Sequence, residues 1–190
     1  MTSIIPIDLF PLAIAKGKAF CNRVTETKKL KTCISEKDYA EHIQHAAMIT
    51  WKAQMSPQSL DCLFNYSERH PYYLNLLCSR MIFEKEIPTP EIVRKIWQQY
   101  VMEERSSVAS EIELLSKNQR KLLTILSRTH KTNSPLGHEF IQIANMSKAT
   151  IDQSLSFLER QDYIFKDEYG FVHVLDPLIK TVLSGTSQPL

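Results

Sequence analysis

The sequence predicts a mainly α-helical protein in two parts, a small four-helix bundle followed by three helices closed by a β-hairpin. Three observations lead there. The chain has only 4 Gly against 9 Pro in 190 residues, which disfavours a sheet-rich fold built on tight turns. Its 43% apolar and 23% charged residues are the balance of a globular protein rather than a disordered one. Its apolar residues recur at helical spacing through most of the chain, and switch to short runs broken by turn residues only near residues 163–174.

Residues 1–35 carry a short apolar run from Ile4 to Ala15 and a basic segment around Lys28 and Lys31, without a period that predicts an element. Ser35 then reads as a helix N-cap with Asp38 in the first turn, and Tyr39, Ile43, Ala47 and Trp51 fall on one face, predicting a helix over residues 36–54. Ser56 before Pro57 is a second start signal, because a proline at the first helical position gives up an N–H that has no partner there. Leu60, Leu63 and Phe64 supply its buried stripe. A third helix begins at His70-Pro71 and carries Tyr72, Tyr73, Leu76, Leu77 and Met81. Thr89 and Pro90 open a fourth, with Ile92, Val93, Ile96, Trp97 and Tyr100 on a wide apolar face. Residues 103–113 are charged, contain Ser and show little hydrophobic patterning, so they read as the joint between two units.

Beyond the joint, Ser116 and Gln119 form a capping box ahead of Leu122, Leu123, Ile125 and Leu126. A loop with Asn133, Pro135 and Gly137 leads to a short helix bearing Phe140, Ile141 and Ile143. Ser147 caps a third helix with Ile151, Leu155 and Leu158 on one side. Tyr163-Ile164-Phe165, Asp167-Glu168-Tyr169-Gly170 and Phe171-Val172-His173-Val174 then read as strand, turn, strand. Helix, helix, helix, hairpin is the winged-helix order. The expected organisation is a poorly defined segment at 1–35, a helical domain at 36–111, a winged-helix domain at 112–184 and a tail at 185–190.

Composition narrows function. A formal charge of +2 is too small to imply a polyanionic partner, and the surplus lies entirely in the last third, where 9 Lys and Arg face 7 Asp and Glu after residue 116. Cys21, Cys33, Cys62 and Cys78 are widely spaced with no CxxC pair, so they read as free thiols rather than a zinc or redox motif. The start lacks a basic n-region and is broken by Pro6, Asp8 and Pro11, and no run approaches the ~20 apolar residues of a membrane span, so a cytoplasmic protein without a membrane partner is expected. His42 and His45 beside Glu41 lack a third metal ligand and read as a solvated helix face. Asp167 and Glu168, in the hairpin turn, read as local hydrogen-bonding acids rather than an acid/base pair.

The segment Ser67-Glu68-Arg69-His70-Pro71-Tyr72-Tyr73-Leu74-Asn75-Leu76-Leu77-Cys78 resembles the helix start in the lid of STAND/AAA+ P-loop ATPases, especially the archaeal-type ATPases. Its neighbours extend the resemblance over residues 20–184, in order. Leu30-Lys31-Thr32-Cys33-Ile34-Ser35 looks like the strand leaving a nucleotide core, Gln119-Arg120-Lys121-Leu122-Leu123 like the first winged-helix helix, and Leu158-Glu159-Arg160-Gln161-Asp162-Tyr163-Ile164 like the recognition helix entering the wing. Leu175-Asp176-Pro177-Leu178 looks like the helix after it.

One departure bears on activity: no GxxxxGK[ST] occurs, nor a strand ending in paired acids that would hold nucleotide-bound magnesium. The resemblance therefore implies a non-catalytic lid and winged-helix module, with no cofactor of its own. ATP and magnesium belong to a longer family-like protein or to an ATPase core acting in cis or in trans. It implies that Pro71 packs on adenine and His70 faces nucleotide, with Arg69 a phosphate contact; the competing reading is that Pro71 and His70 merely start a helix.

Two other functions compete. A free-standing winged-helix DNA-binding regulator would read DNA with the outer face of the third helix, Ala149, Asp152, Gln153, Ser156 and Arg160, and with Lys166 of the wing, while Lys117, Arg120, Lys121, Arg128, Lys131 and Lys148 would add positive charge but read as dispersed, solvated residues. Its mixed charge argues against it. A protein-interaction adaptor, including a homo-oligomer, would use apolar surface on the helical domain.

Overall fold

The computed structural model describes residues 36–129, 132 and 134–185. The expectations for residues 1–35, for Ser35, Cys21 and Cys33, for Asn133 and for residues 186–190 lie outside the described residues. What is described is mainly helical: α1 (Glu36–Trp51), α2 (Pro57–Ser67), α3 (Pro71–Met81), α4 (Pro90–Glu113), α5 (Lys117–Arg128), α6 (His138–Ala144), α7 (Lys148–Arg160), β1 (Ile164–Lys166), β2 (Val172–Val174) and α8 (Pro177–Ser184). It divides into two compact units between Tyr100 and Val101, inside α4.

In the first unit, α1 stops at Trp51 rather than running on to residue 54, because Lys52 turns into the left-handed region at φ 57°. The Gln44 side-chain amide then fixes the exit. Its Nε2–H donates to the Met55 carbonyl at 2.9 Å, and its Oε1 accepts the Met55 N–H at 2.8 Å. Ser56 caps α2 by accepting the Ser59 N–H at 3.1 Å, with Pro57 at the first position as expected. α3 packs against α2. The core is built on rings: Trp97, fully buried, stacks on Tyr66 at 6.0 Å and meets Tyr73 edge-on at 5.6 Å, with Tyr100 at 6.1 Å. At the surface Trp51 donates its indole N–H to the Glu84 carbonyl at 3.0 Å.

Residues 103–113, read from sequence as a joint, are helical and continue α4 to Glu113. They hold no Gly or Pro and are mostly helix formers, and Val108 and Ile112, one turn apart, are buried together with Leu115. The sparse stripe was enough to keep the helix going.

The second unit is centred on α5, which packs against α6, α7, α8 and β2. The capping box is made in full, Ser116 Oγ accepting the Gln119 N–H at 3.4 Å and Gln119 Oε1 accepting the Ser116 N–H at 2.8 Å. Ser147 caps α7 through the Thr150 N–H, and Asp176 caps α8 through the N–H groups of Leu178 and Ile179. β1 and β2 pair antiparallel in the register Ile164↔Val174, Phe165↔His173, Lys166↔Val172, and Thr132 bridges to Val172 from the other side. Leu122, Leu123, Ile151, Leu158, Ile164, Val172 and Val174 form an almost purely aliphatic core. The hairpin expected between residues 163 and 174 is therefore present, behind three helices. No helix among the described residues is long and apolar enough to cross a membrane.

Candidate functional site

The turn from α2 into α3 is assembled from backbone outward. Ser67 closes α2 by donating its hydroxyl to the Leu63 carbonyl at 2.8 Å, and Glu68 and Arg69 both enter the left-handed region, at φ 46° and 58°. Two consecutive non-glycine residues there cost on the order of 1 kcal/mol or more each, so the surrounding contacts must hold them. They do: the Arg69 N–H donates to Phe64 O at 3.2 Å and to Ser67 Oγ at 3.2 Å, and the His70 N–H donates to Ser67 O at 2.8 Å. His70 takes the N-cap position, Pro71 the first helical one, and the Leu74 N–H closes the first turn on His70 O at 3.0 Å.

The three residues singled out from the sequence do come together in this turn, but they face different surroundings. His70 is 1% exposed, its ring 5.2 Å from Tyr73, and Pro71 is buried with it. Arg69 is the exposed member, its guanidinium 5.8 Å from the centre of the Phe64 ring. Only Arg69 therefore offers a side chain to a ligand approaching the surface of the first unit as described. His70 and Pro71 set the turn and fill the core beside Tyr73.

Three titratable groups of α2 and α3, Cys62, Tyr66 and Cys78, lie above their ordinary values. Burial pushes the Cys78 thiol up to about 12, and the half-buried Cys62 thiol is raised by desolvation despite Arg94 acting to lower it. Tyr66 is likewise raised by burial, although its hydroxyl hydrogen-bonds Arg94. Among the described residues no group of three or more His, Cys, Asp and Glu is arranged to hold a metal ion.

In the second unit, Lys148, Gln153 and Arg160 are exposed along α7, together with Ala149, Asp152, Ser156 and Glu159. Lys166 on β1 reaches Glu159 of α7 at 3.5 Å, so the hairpin lysine is partly neutralised. The turn acid Asp167 is the organiser of the hairpin tip. Its Oδ1 accepts the N–H groups of Tyr169 and Phe171, each at 2.9 Å, and its Oδ2 accepts from His173 Nε2 at 2.9 Å, while Phe165 stacks on the His173 ring at 5.1 Å. Desolvation acts to raise this carboxyl, but the bonds from His173, Phe171 and Tyr169 outweigh it and hold it below its ordinary value. At the hairpin base the buried Tyr163 hydroxyl is pushed up to about 12, first by desolvation and then by the charge and hydrogen bond of Glu111.

Several contacts lay beyond the sequence reading. Asp167–His173 is a pair six apart across a turn, for which an acid opening a turn that closes on Gly170 is a usable signal. Tyr163–Glu111 and the 3.4 Å bond from Lys121 Nζ to the Asn145 carbonyl join residues 52 and 24 apart, and have no local signature. No protein-family model, no curated protein and no solved structure matches this chain.

Proposed function

We propose that the chain is a non-catalytic lid and winged-helix module of a STAND/AAA+-type ATPase, regulating nucleotide-dependent closure when joined to an ATPase core in cis or in trans. The observation that carries this reading is the Glu68-Arg69-His70-Pro71 turn. A strained left-handed pair, held by Ser67 and Phe64, puts a cation at the surface immediately before a proline-started helix, where the resembling lids face nucleotide. Three helices followed by a hairpin, in the order a winged helix requires, support the second half of it.

The residues present do not make an ATP and magnesium site of their own. No phosphate-cradling glycine loop or paired metal-holding acids occur in the sequence, and of the three turn residues only Arg69 is exposed. In this reading Arg69 contributes a charge-assisted contact to phosphate held by the core, while His70 and Pro71 fix the backbone that aims it. A DNA-reading role for α7 is disfavoured by Asp152 and Glu159 on its exposed side and by the engagement of Lys166 with Glu159.

The test is direct. Purified chain titrated with a fluorescent ATP analogue should show no saturable binding and no turnover; tight binding with hydrolysis sinks the proposal. A P-loop core encoded in the same or an adjoining reading frame supplies the positive arm. Its turnover should change when this module is present, and Arg69→Ala should abolish the change.

A further inference from the structure

Among the described residues of the first unit, three large apolar side chains stand exposed, Met48, Ile49 and Phe83, the last of them at 70%. They belong to one place. Met48 lies one turn before Trp51 at the end of α1, with Ile49 beside it, and the Trp51 indole N–H donates to the Glu84 carbonyl at 3.0 Å. That bond draws Phe83, the preceding residue, to the end of α1. The backbone is fixed on both sides. The N–H groups of Phe83 and Glu84 donate back to Arg80 O at 3.4 Å and Met81 O at 2.9 Å, and Gln44 clamps Met55 beyond the end of α1. In the second unit the exposed large apolar residues, Met102, Leu114, Ile143 and Tyr169, are instead spread over α4, the turn after it, α6 and the hairpin tip. Scattered exposure of that kind is ordinary, whereas Trp, Phe and Met gathered together are the residue types enriched where surfaces meet.

We propose that residues 4–15 of this chain dock on the patch made by Met48, Ile49, Trp51 and Phe83 and cover it. The charges at its border are of both signs, Lys52 and Lys85 with Glu84 and Glu86, so they select neither an acidic nor a basic partner. The patch is also small. Three exposed side chains fall far short of the roughly 800 Å² per partner of a stable interface between separate molecules, whereas a tethered segment binds at an effective concentration on the order of millimolar. The occupant has the matching chemistry: Ile4, Ile7, Leu9, Phe10, Leu12 and Ile14 make residues 4–15 strongly apolar, with Asp8 the only charge. Pro6 and Pro11 restrict the backbone there, which lowers the entropy lost on docking. Length fits as well. Residues 16–35 lie between that segment and Glu36, and fully extended they span at most about 66 Å, against ~24 Å for the 16 residues of α1. The segment therefore reaches the far end of α1 with slack. Docked, it is a removable cover, which any partner using this face has to displace. This proposal does not rest on the ATPase reading, since it concerns a different surface of the first unit.

The experiment is limited chymotrypsin digestion of the full chain, with products assigned by mass spectrometry. Docking should hold cleavage after Leu9, Phe10 and Leu12 about tenfold or more below its rate in Met48→Asp/Phe83→Asp, because the protease cuts only the undocked population. The contact is then read from its other side. Leu9→Asp/Phe10→Asp should increase iodide quenching of Trp51, with Trp97 silent because it is sealed in the core. This second variant alters no residue of α1 or of the loop after α3, so it decides the matter even if the first loses helix by circular dichroism. Wild-type cleavage as fast as in the patch variant overturns the proposal, as does quenching that Leu9→Asp/Phe10→Asp leaves unchanged. Protection that falls on dilution, with a dimer in size-exclusion chromatography, gives the patch to a second copy and likewise overturns it.

Discussion

The first unit buries rings and small hydroxyls, with Trp97 touching Tyr66, Tyr73 and Tyr100 while Ser59, Ser67, Ser79 and His70 lie inside. The second buries mainly Leu, Ile and Val around α5, with Phe140, Tyr163, Ser127 and Ser154 also inside, and carries a part-buried polar network at the hairpin tip, where Asp167 gathers His173 and two backbone N–H groups. The contrast teaches where each half is vulnerable. The ring cluster around Trp97 depends on each of its members, because a ring cannot be replaced by shifting its neighbours. Where the core is mainly aliphatic no single ring cluster carries the burial, and caps and turns fix the ends of the short elements.

The sharpest way to break the comparison is Trp97→Ala, which should cost about 3–5 kcal/mol in chemical denaturation. Hydrogen exchange should place the loss in α2 and α3 while α5 and α7 keep their protection. Equal deprotection of both units would mean that they do not unfold separately. Next in size is Ser116→Ala, which removes the capping box of α5 and should cost about 1 kcal/mol. That loss should be read most strongly in α5 itself; an undisturbed α5 would deny caps the importance given to them here.

The smallest and most local effect concerns Asp167. Its folded-state value lies below the ordinary 3.8, so its contribution to the hairpin is complete above that value and is lost as pH falls through the lower folded one. Amide signals of Tyr169 and Phe171 should lose protection in that acid range. In Asp167→Asn the same amides should show no such transition; a transition that survives the substitution belongs to another group.

Much of the architecture was legible because its signals are local. Ser56-Pro57, Ser116 with Gln119, and Ser147 each satisfy backbone N–H groups within three residues, and each marks a real helix start. Residues 103–113, expected as the joint, follow just after the division between the units at Tyr100 and Val101, and they are helical. A stretch with only Val108 and Ile112 on its stripe still stays helical when nothing in it favours stopping. The end of α1 was overrun because the clamp from Gln44 to Met55 spans 11 residues and leaves no trace in a local pattern. At the candidate site, the turn at His70-Pro71 followed from proline chemistry alone, but the burial of His70 beside Tyr73 and the exposure of Arg69 depend on packing from α2 and α4.

The two tryptophans offer a practical handle. Both Trp51 and Trp97 belong to the first unit, and the sequence contains no others. Trp97 is sealed among rings, whereas Trp51 is half-buried and holds the Glu84 carbonyl at the surface. Intrinsic emission excited at the indole band is therefore blind to the hairpin half of the chain, and iodide quenching separates one indole from the other. Circular dichroism minus that optical signal isolates the melting of the α5-centred unit without any engineered label.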